Sequence, residues 1–394
     1  MADVDVLIVG AGGAGSACAE TLREGGFAGS IVLAGRDIDP PYERPFCSKQ
    51  YLRGQMERAE TYVPVPSDID LRIRTSVTKL DPAAATAKLS DGEELTYAHA
   101  VFATGANVRR LRVDGCDLDG IHYLRTLGTS DSIRADAVDA ENVVLIGGSY
   151  IACEVAASLT DQGHRCRLVM PEEGPLSLGF GATASGFFAN VLRERGIEWV
   201  AADGLARFEG DEGRVRRVVT SSGQELPADI VVMGTGVVPD VTLARSAGLE
   251  LGETGGIACT NTLATSADRV WAAGDVCEYD SVVHRRRLRV EHWEVALAQG
   301  KAAAAAIAGR PADFAEVPYF WSDLADWCTL EYVGPADRWD REVVRGSLDD
   351  GEFTIFYLDG DQLVAALTVG RSGDFDRARE LMTADRPIDA DADL

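Results

Sequence analysis

Two stretches of this chain repeat one design, and together they restrict its fold more than any other feature. Residues 4–9 (VDVLIV) are a β-branched run that ends in GAGGAG and continues as SACAETLREGG. Residues 142–146 (NVVLI) are a second such run, ending in GGSYIA and continuing as CEVAASL. A strand, a glycine turn and a helix in that order read as a dinucleotide-binding βαβ unit. Its three glycines permit a tight turn, close approach of the backbone to a pyrophosphate, and close helix–strand packing. Gly10, Gly12 and Gly15 fill all three places in the first copy, with Gly13 and Ala14 between them. Gly25 and Gly26 close its helix, and SIVLAG (30–35) supplies the next strand.

The second copy departs from the pattern, since its three places read Gly147, Ser149 and Ala152. Ala152 still permits close packing. Ser149 adds only a small side chain, whose hydroxyl can itself donate to phosphate. A dinucleotide is therefore expected on Gly147, Gly148, Ser149, Tyr150 and Ile151, with the pyrophosphate slightly shifted; the rival reading is a relic that no longer binds. The helix is expected over Ala152–Leu159, ended by Gly163, with RCRLVM (165–170) as the following strand.

Three further segments share the strand-then-glycine plan. AVFATGA (100–106) ends in Ala103, Thr104 and Gly105, and IVVMGTGVVPD (230–240) contains Gly236. RVWAAGDVCEYD (269–280) delivers Gly274 and Asp275 to the carboxyl end of a strand, where ligands of open α/β sheets sit. Two dinucleotide units in one chain suggest one permanent cofactor and one diffusing coenzyme. Near the end, EVVRGSL, EFTIFYL and QLVAALTV are separated by Asp349-Asp350-Gly351 and Asp359-Gly360-Asp361, which predicts antiparallel hairpins. The helix DFDRARELM follows them.

Composition narrows the function. A length of 394 residues suggests two or three domains, and a net charge of −25 argues against nucleic acid and anionic membrane as partners. No apolar run approaches the ~20 residues needed to span a bilayer. The first strand lies so near Met1 that no leader peptide is expected. The eight cysteines form no C-x-x-C pair and no Cys/His cluster, so no metal site is expected, and a reduced, cytoplasmic protein is the simplest reading. Only four of the 38 basic residues are lysines, which fits a halophile and a GC-rich genome equally well.

With PYERPFCSKQYLRG (41–54), FATGANVRRL, GGSYIACEVA, AAGDV, RVEHWEVALAQG (289–300) and FWSDL (320–324) beside GAGGAG, the chain resembles the ferredoxin reductases among two-dinucleotide-binding flavoproteins. Putidaredoxin reductase and the dioxygenase ferredoxin reductases typify that group, and apoptosis-inducing factor is a more distant member. The resemblance implies an α/β fold with two Rossmann-like domains and a small C-terminal α/β domain carrying an antiparallel sheet. It places the FAD-binding domain at 1–112 and 239–312, the NAD(P)H-binding domain at 113–238, and the C-terminal domain at 313–394. It implies hydride transfer from NADH, or alternatively NADPH, to FAD. The electrons then leave singly for a small two-iron ferredoxin or Rieske-type protein of an oxygenase system. A monomer or homodimer is expected.

The same resemblance assigns roles. Arg44 and Lys49 contact FAD, Asp275 bonds its ribityl or pyrophosphate region, and Trp293 lies by the isoalloxazine, with Glu291 and His292 beside it. Glu154 lies near the nicotinamide on the first turn of the second helix and pairs with Lys49 across the boundary of the two nucleotide-binding domains. Phe320 and Trp321 form an aromatic pair near the flavin edge. Plainer readings compete: Arg44 and Lys49 as solvated loop charges, Trp293 and Phe320 as core, Glu154 as an acid favoured by a helix N-terminus. The acid expected for the FAD ribose is replaced by Arg36, with Asp37 behind it. At the equivalent place in the NAD(P)H unit stands Met170, followed by Pro171, Glu172 and Glu173, which favours NADH. Arg165 and Arg167 precede the strand's end and are expected to point away. Cys47 leaves open an NAD(P)H oxidase or thiol-disulfide reductase on the same fold. A redox-gated interaction protein resembling apoptosis-inducing factor is the third reading.

Overall fold

The strand Val4–Val9 is buried along almost its whole length, and a run that is apolar on both faces belongs in the middle of a parallel sheet. It pairs in parallel with Ile31–Ala34 on one side and Glu94–Phe102 on the other. The computed structural model describes residues 3–384, 387–389 and 394. By its internal packing the chain divides into two units. The first comprises residues 1–43, 62–107 and 238–320; the second comprises 44–61, 108–237 and 321–394.

In the first unit the sheet runs in the order Asp70–Arg72, Ile31–Ala34, Val4–Val9, Glu94–Phe102, Thr86–Leu89, Val77–Asp81, and Val270–Ala272 also pairs with Glu94–Phe102. The strands around Val4–Val9 are parallel, whereas Val77–Asp81 and Thr86–Leu89 form an antiparallel hairpin. On one face, Ile8, Leu33 and Val101 meet the helices Gly13–Glu24 and Trp293–Ile307. Those helices cross closely because the crossing residues are small. A β-carbon on Gly300 would lie on the carbonyl oxygen of Ala14. On the other face, Leu7 and Phe102 share a core with Ile257 and Tyr279 of a three-stranded sheet, Ile257–Cys259, Cys277–Ser281 and Arg286–Arg289.

The second unit repeats the parallel plan: Glu198–Val200, Arg165–Val169, Asn142–Ile146, Ile230–Met233 and Ile121–His122 are adjacent in that order and all parallel. Its antiparallel sheet Leu205–Asp211, Arg214–Thr220, Glu225–Pro227 buries Phe208, Val215 and Val218 against the parallel strands. The C-terminal sheet has five strands in the order Tyr319–Leu324, Cys328–Val333, Gln362–Val369, Glu352–Asp359, Arg341–Ser347, with the helix Asp374–Thr383 packed on it. The three predicted hairpin strands are present, and two more precede them. FWSDL, read as an aromatic motif, lies within the first of those two.

Residues 44–61 pack within the second unit. Among the described residues no helix is long and apolar enough to cross a membrane.

Among the histidines of the first unit, His284 and His292 carry the largest pH signature. Burial pushes His284 and His292 each down to about 4 from the ordinary 6.5, and each has one buried ring nitrogen with no hydrogen-bond partner. The unfolded chain therefore binds protons that the folded chain refuses, so stability is full above about pH 6.5 and declines as pH falls towards 4. Thermal unfolding measured between pH 7.5 and 4.5 should show Tm falling across that window, with a shallower fall in His284→Asn. A slope unchanged by that substitution would show that His284 does not titrate on unfolding.

Candidate functional site

The first glycine turn is dictated by contacts within its unit. At Gly10, whose φ is +116°, a β-carbon would lie on the carbonyl oxygen of Ala103, and one at Gly15 would lie on the carbonyl oxygen of Gly10. Gly12 differs, because a β-carbon there would meet nothing within 4 Å. No protein atom demands glycine at that place. The open ground lies at the N-terminus of the helix Gly13–Glu24, where backbone N–H groups and the helix dipole favour an anion. This cradle fits a pyrophosphate such as that of FAD.

Several expected residues line the same region. The Trp293 ring is packed so closely on Gly13 that a β-carbon there would stand 2.8 Å from it. Gly274 adopts φ +81° over Ala14, and its N–H donates to Gln299 Oε1 at 2.8 Å. The carbonyl of Asp275 accepts from Arg289 at 3.2 Å, and Arg289 pairs with Glu291 at 2.5 Å. The His292 ring stacks on Phe320 at 4.4 Å. Thr104 Oγ1 donates to the Asp240 carbonyl at 2.7 Å, tying the returning chain to the end of its strand. Arg36 pairs with Asp240 at 2.7 Å and reaches Asn107, while Asp37 accepts from the Tyr42 hydroxyl at 2.9 Å.

The second turn has the same backbone with a methyl moved. Gly147 has φ +118°, and a β-carbon on it would lie on the carbonyl oxygen of Gly234. Met233-Gly234-Thr235-Gly236 thus repeats Phe102-Ala103-Thr104-Gly105, and Thr235 Oγ1 holds the Arg109 carbonyl at 2.8 Å as Thr104 holds that of Asp240. At the corresponding places the first copy carries Gly15 and Ala103, and the second Ala152 and Gly234. A β-carbon on Gly234 would stand only 2.8 Å from that of Ala152. The alanine in the fingerprint is accommodated by the glycine opposite.

Ser149 is the N-cap of the helix Tyr150–Asp161, and its exposed hydroxyl makes no capping bond. Tyr150 and Ile151 open that helix and are half-buried. Met170 is fully buried against Gly148, at whose position a β-carbon would meet Sδ at 2.7 Å. The charge beside the turn is Glu172, which has one buried carboxylate oxygen without a hydrogen-bond partner. Glu173 is exposed. Arg165 and Arg167 are engaged by Glu141 and Glu198.

Glu154 requires a correction. The helix begins at Tyr150 rather than Ala152, so Glu154 lies beyond the first turn, and that turn contains no acid. The helix-terminus explanation therefore does not apply. Glu154 is instead almost wholly buried and pairs with buried Lys49 at 2.7 Å, within the second unit. The Lys49 ammonium lies 4.9 Å from the centre of the Trp321 ring. Ser48 and Ser322 each donate to the Glu154 carboxylate at 2.5 Å, one to each oxygen. The sequence singles out neither serine, because a hydroxyl at the end of the short 3-10 helix Arg44–Ser48 and one in a six-residue strand carry no periodic signal.

The neighbours of this cluster are also polar. Burial raises the Asp323 carboxyl against the bond from Thr329, and Arg53, its guanidinium buried, reaches Asp326 at 2.8 Å. Arg44 donates to the Arg125 carbonyl. Cys47 is buried, with its carbonyl held by Ser130 at 2.9 Å.

Comparison with known proteins agrees with this geometry. Residues 4–300 match the pyridine nucleotide-disulphide oxidoreductase family, and residues 319–393 match the reductase C-terminal family. Rhodocoxin reductase of Rhodococcus erythropolis is 33% identical over 99% of this chain and 93% of its own. The crystal structure of the ferredoxin reductase for the CYP199A2 system from Rhodopseudomonas palustris superposes with a TM-score of 0.94 at 30% identity, covering 99% of this chain and 97% of that one. The covalent putidaredoxin reductase–putidaredoxin complex gives 0.93 at 32% identity, covering 99% and 95%. The resemblance read from the motifs is borne out: the chain belongs to the pyridine nucleotide-disulphide oxidoreductases, among the ferredoxin reductases.

Proposed function

We propose that this FAD-dependent oxidoreductase takes hydride from NADH and passes the electrons singly to a small iron–sulfur protein, a two-iron ferredoxin or Rieske-type partner, of a cytoplasmic oxygenase system. The observation that carries the reading is the buried Lys49–Glu154 pair beside the second glycine turn. Two opposite charges held out of water are costly unless they pair closely and are further hydrogen-bonded. The bound flavin would supply the conversion of one hydride into two single electrons. In this assignment Gly10, Gly12, Gly13, Ala14, Gly15, Ala103, Thr104, Gly105, Gly274 and Asp275 hold FAD, with Arg36, Asp37, Arg44 and the segment Glu291-His292-Trp293 around it. Gly147, Gly148, Ser149, Tyr150, Ile151 and Gly236 hold NADH. Lys49, Glu154 and Trp321 orient the reacting rings and exclude water. The proposed domain limits are 1–112 with 239–312 for FAD, 113–238 for NADH, and 313–394 for the reductase C-terminal domain.

Coenzyme choice tests this assignment. Glu172 and Glu173 would face the 2′-phosphate of NADPH with like charge. At an effective dielectric of ~20, unit charges ~4 Å apart repel by ~4 kcal/mol. Solvent screening reduces this towards the ~1.4 kcal/mol that gives tenfold discrimination. The purified protein should be yellow, and NADH should bleach its flavin within seconds under anaerobic conditions. NADH should exceed NADPH modestly in kcat/KM, and Glu172→Gln with Glu173→Gln should narrow the gap. Equal or better use of NADPH would overturn the assignment of this loop. Failure of both coenzymes to reduce the flavin would overturn the function, and a panel of one-electron acceptors mixed with the reduced protein then identifies its partner class.

The exchanged methyl gives a second test. Gly234→Ala should weaken NADH binding at least several-fold, because its β-carbon would crowd that of Ala152. Combining it with Ala152→Gly rebuilds the arrangement of the first turn and should recover most of the loss. A double variant no better than the single one would show that the two positions are not coupled.

Cys47→Ser should keep most NADH-to-acceptor activity, since one-electron transfer requires no thiol. A loss beyond about tenfold (~1.4 kcal/mol) with unchanged FAD content would favour thiol-disulfide chemistry instead.

A further inference from the structure

The Glu154 carboxylate is held by more than its lysine. Ser322 Oγ donates to Oε1, which Lys49 shares, and Ser48 Oγ donates to Oε2. Ser48 is itself fixed from its carbonyl side by Ser158 Oγ at 2.7 Å, and Ser158 lies one helical turn beyond Glu154 on the same face. All five residues are buried. A carboxylate that faces a lone ammonium can rotate and draw it into a two-oxygen contact. Here each oxygen already accepts a hydroxyl in a fixed direction, so the plane of the carboxylate is set from both sides. The ammonium is left bonded to one oxygen and packed on Trp321, and that oxygen takes one of its three donors.

We propose that Ser322, brought by the C-terminal segment, and Ser48 are positioning residues that act through Glu154 to aim the Lys49 ammonium for hydride transfer. The inference rests on the proposed roles of Lys49 and Glu154, and adds that the C-terminal segment completes the site. A hydroxyl that merely fills space would not depend on the carboxylate it touches. That difference is measurable.

The test is a double-mutant cycle on the FAD-loaded full chain. Ser322→Ala and Ser48→Ala are each made with Glu154 intact and in the Glu154→Gln background. The limiting rate of NADH-dependent flavin bleaching, the NADH concentration at half-saturation, and the midpoint potential of the bound flavin are read for each. With Glu154 intact, Ser322→Ala should slow the limiting rate by roughly tenfold, or ~1.4 kcal/mol, while half-saturation changes less than about twofold. The midpoint potential should fall, because a less firmly aimed cation stabilises the reduced flavin less. Ser322→Thr, which keeps the hydroxyl, should restore most of the rate. In the Glu154→Gln background the serine substitutions should add less than about twofold, since the carboxylate they act through is gone. Equal effects in both backgrounds, or none with Glu154 intact, overturn the proposal while leaving the function standing. If Glu154→Gln itself leaves rate and potential unchanged, the roles of Lys49 and Glu154 fall, and the proposal with them. FAD content and Tm of each variant separate these outcomes from loss of fold; if Ser322→Ala does not load FAD, Ser48→Ala decides.

Discussion

In each nucleotide-binding half a backbone carbonyl occupies the space that a side chain would need at the end of the first strand. At Gly10 it is the oxygen of Ala103, and at Gly147 that of Gly234. Only glycine accepts both the crowding and the positive φ found there. The chain must turn at once, and the helix that follows points its N-terminal N–H groups over the ends of the strands. Thr104 and Thr235 then bind the returning chain at the same level in their own units. The turn is thus a consequence of strand packing, and Gly12, where a β-carbon would meet no protein atom within 4 Å, leaves the ground before the helix open.

The two copies reach that geometry with different residues. In the second copy Ala152 and Gly234 face each other across the helix start, at the places where the first copy has Gly15 and Ala103. A fingerprint judged at three positions alone misses a partner more than eighty residues away. The same holds for the loop after the strand Arg165–Val169. Met170 stands where an acid is expected, but it is core, and the nearby charge with an unsatisfied oxygen is Glu172.

A buried carboxylate imposes a different demand, because every oxygen it exposes to the interior needs a donor. Glu154 meets that demand with groups from two segments far apart in sequence, residues 48–49 and residue 322. Arg53 repeats the pattern nearby, reaching Asp326 at 2.8 Å and Asp161 at 3.5 Å. Within the second unit, the segment 44–61, the helix Tyr150–Asp161 and the C-terminal segment are therefore joined by polar contacts in two places. Such contacts are directional and fix orientation in a way that apolar packing does not.

Local chemistry is what the sequence by itself could determine. Glycine turns between a strand and a helix, the β-branched runs and the Asp/Gly hairpins specify backbone conformation within a few residues, so both βαβ units and the late antiparallel strands were legible. The motif that contains Lys49 and the helix that contains Glu154 were legible by resemblance. What only the tertiary structure decided depends on which distant groups meet. The grouping of 44–61 with the second unit, the methyl exchanged between Ala152 and Gly234, and the burial of Met170 are facts of packing between remote segments. The start of the helix at Tyr150, two residues early, removed Glu154 from the helix terminus and made it a buried hub. The hydroxyls of Ser48 and Ser322 acquire meaning only there, because a serine's role is set by the acceptor it faces, and no pattern along the chain records that acceptor.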